Sequence, residues 1–245
     1  MEVLRLSYSE KEDAWQPAAD WHTHSIYSDG FGTVMDIAQA AVDAGLYSVA
    51  VTEHGPAAAT AGVWRQQTLL LLSDDAHRAS ESENIQVLCG VEANVVNKKG
   101  DIDVSPEVYK SLDVLAVGLH RGLTVWQGIS SRSSVAGNTE ALLACLYKHP
   151  VDVVTHPGHL FGVEPEELAR GAENTHTALE INSRHGSAGV DFLRRAAQYD
   201  IEFWCGSDAH LPSRVGDVQN GLQTALKAGL MPCRIRNTVA GFEHL

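Results

Sequence analysis

The feature that most constrains this chain is where its histidines fall. His22-Thr23-His24, Glu53-His54, Glu92, His120, His156 and Asp208-Ala209-His210 each stand at or near the end of a short run rich in Val, Ala, Leu or Trp. Such runs read as buried strands, and helical patterns separate them. In a barrel of parallel strands, side chains at the carboxyl ends of different strands converge on one rim. Twelve histidines in 245 residues is also a high count, and six of them sit in this one layer.

The alternation is regular. Ala18–His24 reads as a first strand. Thr33 then precedes Val34, Ile37, Ala38, Ala41 and Val42, an i, i+3, i+4, i+7, i+8 stripe that predicts a helix with a Thr N-cap, and Gly45 ends it. Tyr47–Thr52 is a second strand, running into Glu53-His54-Gly55. A helical region follows over Ala57–Ser82, then strands Ile85–Val96, Val114–Leu119, Val151–Thr155, Thr177–Asn182 and Ile201–Gly206. The intervening helices are expected at Thr139–Tyr147, from Pro165, at Val190–Tyr199 and at Gly216–Ala228, and Gly118–Ala136 reads as a loop over the rim. Seven strands alternating with helices and no composition break read as one α/β domain over residues 1–245, its motif-bearing barrel about 18–228. An open doubly wound sheet gives the same alternation. Ligand-type residues after six of the seven strands favour closure, because an open sheet concentrates its site at one switch point.

Bulk properties narrow the partners. A formal charge of −13 argues against a long nucleic-acid groove, which gains affinity by neutralising phosphates with Lys and Arg. It leaves a small phosphorylated substrate open, since bound cations can reverse a local field. Cys89, Cys145, Cys205 and Cys233 form no C-x-x-C pair and read as reduced thiols, which suits the cytoplasm. No stretch approaches the ~18 apolar residues of a membrane span. Met1–Leu6 lacks the pattern of a secretory leader, so a cytoplasmic protein with no membrane partner is expected. Nothing in the sequence speaks to oligomeric state.

His22-x-His24 on a strand places both imidazoles on one face, and Asp208-x-His210 repeats that geometry with a carboxylate. Each pair alone is as readily structural; the joint pattern points to metal. Nitrogen and oxygen donors without thiolate suit Zn, Mn or Fe rather than Mg or Ca. More than five donors exceed the needs of one ion, so two or three are expected, with a carboxylate bridging at least one pair. Two ions about 3.5–4 Å apart clamp an in-line attack at phosphorus and supply hydroxide near neutral pH. His77, His149, His176 and His244 read as solvated; His159 and His185 sit on the same rim, where either could touch substrate.

The run Asp20-Trp21-His22-Thr23-His24-Ser25-Ile26-Tyr27-Ser28-Asp29-Gly30 resembles the first signature of the polymerase and histidinol phosphatase (PHP) family. Thr52-Glu53-His54-Gly55, Thr155-His156-Pro157-Gly158 and Gly206-Ser207-Asp208-Ala209-His210 resemble the next three, and Leu179-Glu180-Ile181-Asn182 resembles a strand of the stand-alone YcdX-type phosphatases. The resemblance implies a distorted seven-stranded TIM-like β/α barrel with a trinuclear centre. His22, His24, Glu92 and Asp208 would hold one ion, Glu92 would bridge to a second held by His120 and His156, and Asp29, His54 and His210 would hold a third. Two departures stand out. Asp29 occupies a position where the nearest subgroup often has His, and Glu53 stands where Asp is more usual.

The activity this implies is hydrolysis of a small phosphate monoester by a metal-bridging hydroxide. Asp208, or a neighbouring histidine such as His210, would assist proton transfer. Arg184 is the first candidate for a phosphate clamp, because guanidinium meets phosphate bidentately; Arg121, Arg132 and His185 are further candidates for substrate contact. The alternatives are a phosphodiesterase or nuclease on short nucleotides, a histidinol phosphatase, and a non-catalytic metal-stabilised module.

Overall fold

The computed structural model describes residues 12–123, 134–186 and 188–242. Seven strands, β1 (Ala19–Thr23), β2 (Ser48–His54), β3 (Gln86–Asn94), β4 (Val114–Gly118), β5 (Val153–Val154), β6 (Ala178–Asn182) and β7 (Phe203–Gly206), form one sheet in sequence order. Every neighbouring pair is parallel. Helices lie between them and bury the outer face, which is why the strands read as unbroken apolar runs.

Local sequence explains the first crossover well. Thr33 caps helix Val34–Asp43 through its hydroxyl on the Asp36 N–H, and the Asp36 carboxylate returns a bond to the Thr33 N–H at 2.8 Å, a complete capping box. Val34, Ile37, Ala38 and Ala41 are the buried stripe. The helix expected over Ala57–Ser82 is shorter than the pattern suggested: a 3-10 turn at Gln66–Thr68 leads into an α-helix over Leu69–Glu83. The residues before it turn back instead, with Val63 N–H donating to the His54 carbonyl at 3.1 Å. The loop expected over Gly118–Ala136 has its residues 124–133, Arg132 among them, outside the described residues, as are Met1–Leu6 and His244.

Side-chain alternation divides each strand between two cores. Leu115, Val117, Val154, Leu179, Ile181, Phe203 and Cys205 face the helices. Ala19, Trp21, Ala50, Val114, Ala116, Val153, Ala178 and Trp204 fill the barrel interior, where Trp21 and Trp204 meet edge to face at 4.8 Å. This apolar plug occupies the amino-terminal half of the barrel. In β1 the register shifts between Asp20 and Thr23. That bulge turns His22 toward the same interior as Trp21, its sequence neighbour.

The barrel is nearly closed. At the seam between β7 and β1, an isolated bridge joins Thr23 to Ala209, three residues beyond the end of β7. Side chains complete the seam. Asn237 donates to the Ala19 and Cys205 carbonyls, both at 2.8 Å, and accepts from the Cys205 N–H at 2.9 Å. Asp20 accepts from the Ser207 and Gly216 N–H groups at 3.1 and 2.8 Å. Among the described residues no helix is long and apolar enough to cross a membrane.

Candidate metal centre

Above the plug, the interior turns polar. His22 and His24 come from the end of β1, His54 from β2, Glu92 from β3, and His120 from just beyond β4. His156 follows β5, and Asp208 and His210 follow β7. Asp29 arrives from the turn after β1. All nine expected ligands therefore reach one rim.

Glu92 is the centre of the arrangement. One oxygen lies 2.7 Å from His156 Nε2 and 3.2 Å from His120 Nε2; the other lies 2.8 Å from His54 Nδ1, 3.6 Å from His22 Nε2 and 3.9 Å from His24 Nε2. Glu92 is fully buried, yet neither oxygen has a hydrogen-bond partner among the described residues. His24 Nδ1, His54 Nδ1, His120 Nδ1 and Asp29 Oδ1 are buried without one as well. A buried carboxylate normally finds hydrogen-bond partners. Buried ligand atoms left without hydrogen-bond partners in so tight a cluster fit a group of cations, and the absence of thiolate suits Zn, Mn or Fe.

Three groups have their ligand atoms mutually within 4.8 Å: His22, His24 and Asp208; His54, Glu92 and His120; and His24, Asp29, His54 and His210. This differs from the family-based partition in that His24 and His54 each reach two groups, while His156 approaches through Glu92 and through His120, Nε2 to Nε2 at 3.2 Å. Burial disfavours the charged form of Glu92, but His120, His22, His156 and His54 around it hold its carboxyl well below the usual range. Asp208 is likewise held low against burial, by His22, His185 and His24. Burial and the neighbouring His54, His22 and His210 push His24 well below its ordinary value, leaving the neutral imidazole a metal requires.

A further ring of residues holds the donors in place. Glu180, buried in β6, sets Oε1 2.6 Å from His22 Nδ1 and accepts from the His156 N–H through Oε2, also at 2.6 Å. A Cβ at Gly206 would collide with that carboxylate, so glycine is needed there. Asn182 donates to Asp208 Oδ2 at 3.2 Å and accepts from the His185 N–H at 2.8 Å. His156 and Asp208 both adopt the left-handed backbone, φ 30° and 54°. Such conformations cost free energy in residues other than glycine and cluster at functional sites. Glu180 and Asn182 were visible in the sequence as polar residues interrupting an apolar strand, but nothing there connected them to particular ligands.

The expected substrate residues separate. Arg184 lies in the site: its Nη1 is 3.1 Å from Asp208 Oδ1 and 2.6 Å from His210 Nδ1. His185 Nε2 is 3.2 Å from Asp208 Oδ2, and its ring stacks on His159 at 3.9 Å. Burial, with His185 and His156 beside it, pushes His159 down to about 4. Arg121 is exposed next to His120, and Arg132 lies outside the described residues. His149, expected to be solvated, is half-buried instead, with its ring on Tyr109 and Nε2 3.2 Å from the Gly100 carbonyl.

The comparison with known proteins agrees with this geometry. The PHP domain family model matches residues 20–180. The chain belongs to the PHP family. A Thermoanaerobacter protein named "Probable phosphatase" is 28% identical over 233 residues, covering 91% of each chain. A Shewanella protein of the same name is 30% identical over 218 residues, covering 84% of this chain and 82% of the relative. Among solved structures, the histidinol phosphate phosphatase of Lactococcus lactis, complexed with zinc, L-histidinol and phosphate, superposes with a TM-score of 0.65 at 16% identity, over 88% of this chain and 95% of that one. At that identity the likeness is one of fold.

Proposed function

We propose that this chain hydrolyses a small phosphate monoester at a centre of two or three divalent ions of the Zn, Mn or Fe type. As a PHP protein whose relatives are named phosphatases, it is a hydrolase of phosphate esters. The observation that carries the finer reading is Glu92: a buried carboxylate ringed by imidazole nitrogens and bonded to none. His22, His24, Asp29, His54, Glu92, His120, His156, Asp208 and His210 would hold the ions. Bound there, such ions polarise a phosphate and make hydroxide available from water near neutral pH.

Arg184 supplies the fixed positive charge for the phosphate. His210 Nδ1 lies near both the Arg184 guanidinium and the Asp208 carbonyl, the latter at 3.0 Å. Guanidinium can only donate. With Nε2 given to a metal, His210 would donate Nδ1–H to the Asp208 carbonyl, and the Arg184 guanidinium, which cannot share that proton, would be left to meet substrate oxygens. Asp208, with His185 Nε2 3.2 Å from its Oδ2, would then be the group beside the phosphate able to hold or pass a proton, while His210, both ring nitrogens committed, would orient the site. The acidic chain and a rim of this kind favour a compact substrate over a long polynucleotide. Free thiols at Cys89, Cys145, Cys205 and Cys233 suit a reducing compartment such as the cytoplasm.

The test is release of phosphate from p-nitrophenyl phosphate and from its bis-ester by the metal-loaded protein. Turnover of the monoester alone supports the reading; faster turnover of the bis-ester would make the chain a phosphodiesterase.

A further inference from the structure

Glu53 is fully buried beside a candidate ligand, yet it faces away from the centre. In β2, Ala50 lies in the barrel interior while Val49 and Val51 face the helices, and Glu53 follows the second series. Its Oε1 accepts from the Ser25 N–H at 3.0 Å and also from the Ser25 hydroxyl; its Oε2 accepts from the Ser28 hydroxyl. Ser25 opens the turn that carries Asp29, and Ser28 immediately precedes Asp29. The turn is tight: Ser28 and Gly30 N–H both donate to the Ser25 carbonyl, at 3.1 and 2.9 Å. A Cβ at Gly30 would strike the His24 carbonyl, so the turn is pressed against the end of β1. Tyr27 adds a second anchor, its hydroxyl 2.7 Å from Asp75.

At the crest of this turn, Asp29 Oδ1 lies 3.6 Å from His54 Nε2 and 3.2 Å from His210 Nε2. His22, His54 and Glu92 sit on strands, so the sheet fixes them. Asp29 sits on a turn, so its position is set by whatever holds that turn.

We propose that Glu53 is a positioning residue: its carboxylate clasps Ser25 and Ser28 and thereby holds Asp29 over His24, His54 and His210, completing the outermost ion position. The inference rests on the metal-centre reading above. Its chemistry is specific. Three donors point at the clasp, and a carboxylate is the side chain that accepts them all. A glutamine in its place still accepts from Ser25, and the Ser28 hydroxyl can turn to accept from the amide.

The experiment is elemental analysis of metal content after dialysis against a weak chelator, on the full-length wild type, Glu53→Gln, Glu53→Ala, Asp29→Ala and the Glu53→Ala/Asp29→Ala double variant. Glu53→Ala and Asp29→Ala should each lose one ion per chain, the double variant no more than either, and Glu53→Gln should keep the wild-type content. Wild-type content in Glu53→Ala overturns the proposal, as does further loss in the double variant. Loss in Glu53→Gln equal to that in Glu53→Ala also overturns it, because charge rather than the clasp would then matter. Should Glu53→Ala fail to fold, Ser28→Ala cuts one arm of the clasp from the loop side; it should weaken retention of the same ion, and unchanged retention overturns the proposal. Fewer than two ions in the wild type would instead sink the metal-centre reading itself.

Discussion

Glu180 Oε1 lies 2.6 Å from Nδ1 of His22, and the second oxygen of the same carboxylate takes the backbone N–H of His156 at the same distance. One buried side chain thus fixes the ring of one donor and the strained backbone of another, φ 30° at His156. Outer partners of this kind set the tautomer and basicity of a metal-binding imidazole. Glu180→Gln is expected to lower metal affinity by about 10–100-fold while the barrel still folds. Competition with a chromophoric chelator measures it; wild-type affinity in the variant would show that Glu180 orients nothing.

The residues proposed as ligands should be indispensable. His156→Ala removes a nitrogen 2.7 Å from Glu92, and Asp208→Asn removes a charge shared among His24, His185 and Arg184. Both variants should lose turnover of p-nitrophenyl phosphate and keep the wild-type far-UV circular dichroism. Full activity in either removes that residue from the site.

The seam between β7 and β1 gives a prediction about stability. Asn237→Ala strips partners from the Ala19 carbonyl and from both backbone groups of Cys205, all in a buried setting. Each buried group left without a partner costs about 1–3 kcal/mol. The variant should therefore lose about 3 kcal/mol or more in urea unfolding; a loss below about 1 kcal/mol would mean that water restores these bonds.

His149 should make folding sensitive to acid. Burial, then the neighbouring Lys148, lower its value in the fold below the ordinary 6.5. The unfolded chain therefore binds this proton more readily than the folded one, and stability falls as pH drops. The contribution is complete above 6.5 and is lost progressively below it. His149→Gln should narrow the difference in stability between pH 8 and pH 5, and the His149 ring in the wild type should titrate by NMR with a midpoint below 6.5. A midpoint above 6.5 would reverse the sign.

Much of this was legible in the sequence because the signals are local. Thr33 and its apolar stripe mark the first helix, and a ligand-type residue after an apolar run marks a strand end. What was hidden depends on pairing across the sheet. Glu180 touches His22 only because β6 and β1 face each other across the nearly closed barrel, 158 residues apart in sequence. The bulge that lets Trp21 and His22 share the interior breaks the two-residue period on which strand reading relies. β5 has only Val153 and Val154 in the ladder, although Val151–Thr155 is apolar enough to suggest more. Before Leu69, the chain turns under a bond to the His54 carbonyl, which no helical periodicity can report.

The most direct test of the metal centre is anomalous diffraction from crystals grown with manganese or zinc. The arrangement around Glu92 predicts at least two peaks, about 3.5–4 Å apart, between its carboxylate and the imidazoles of His22, His24, His54, His120 and His156. A single peak, or none within reach of those side chains, would contradict it.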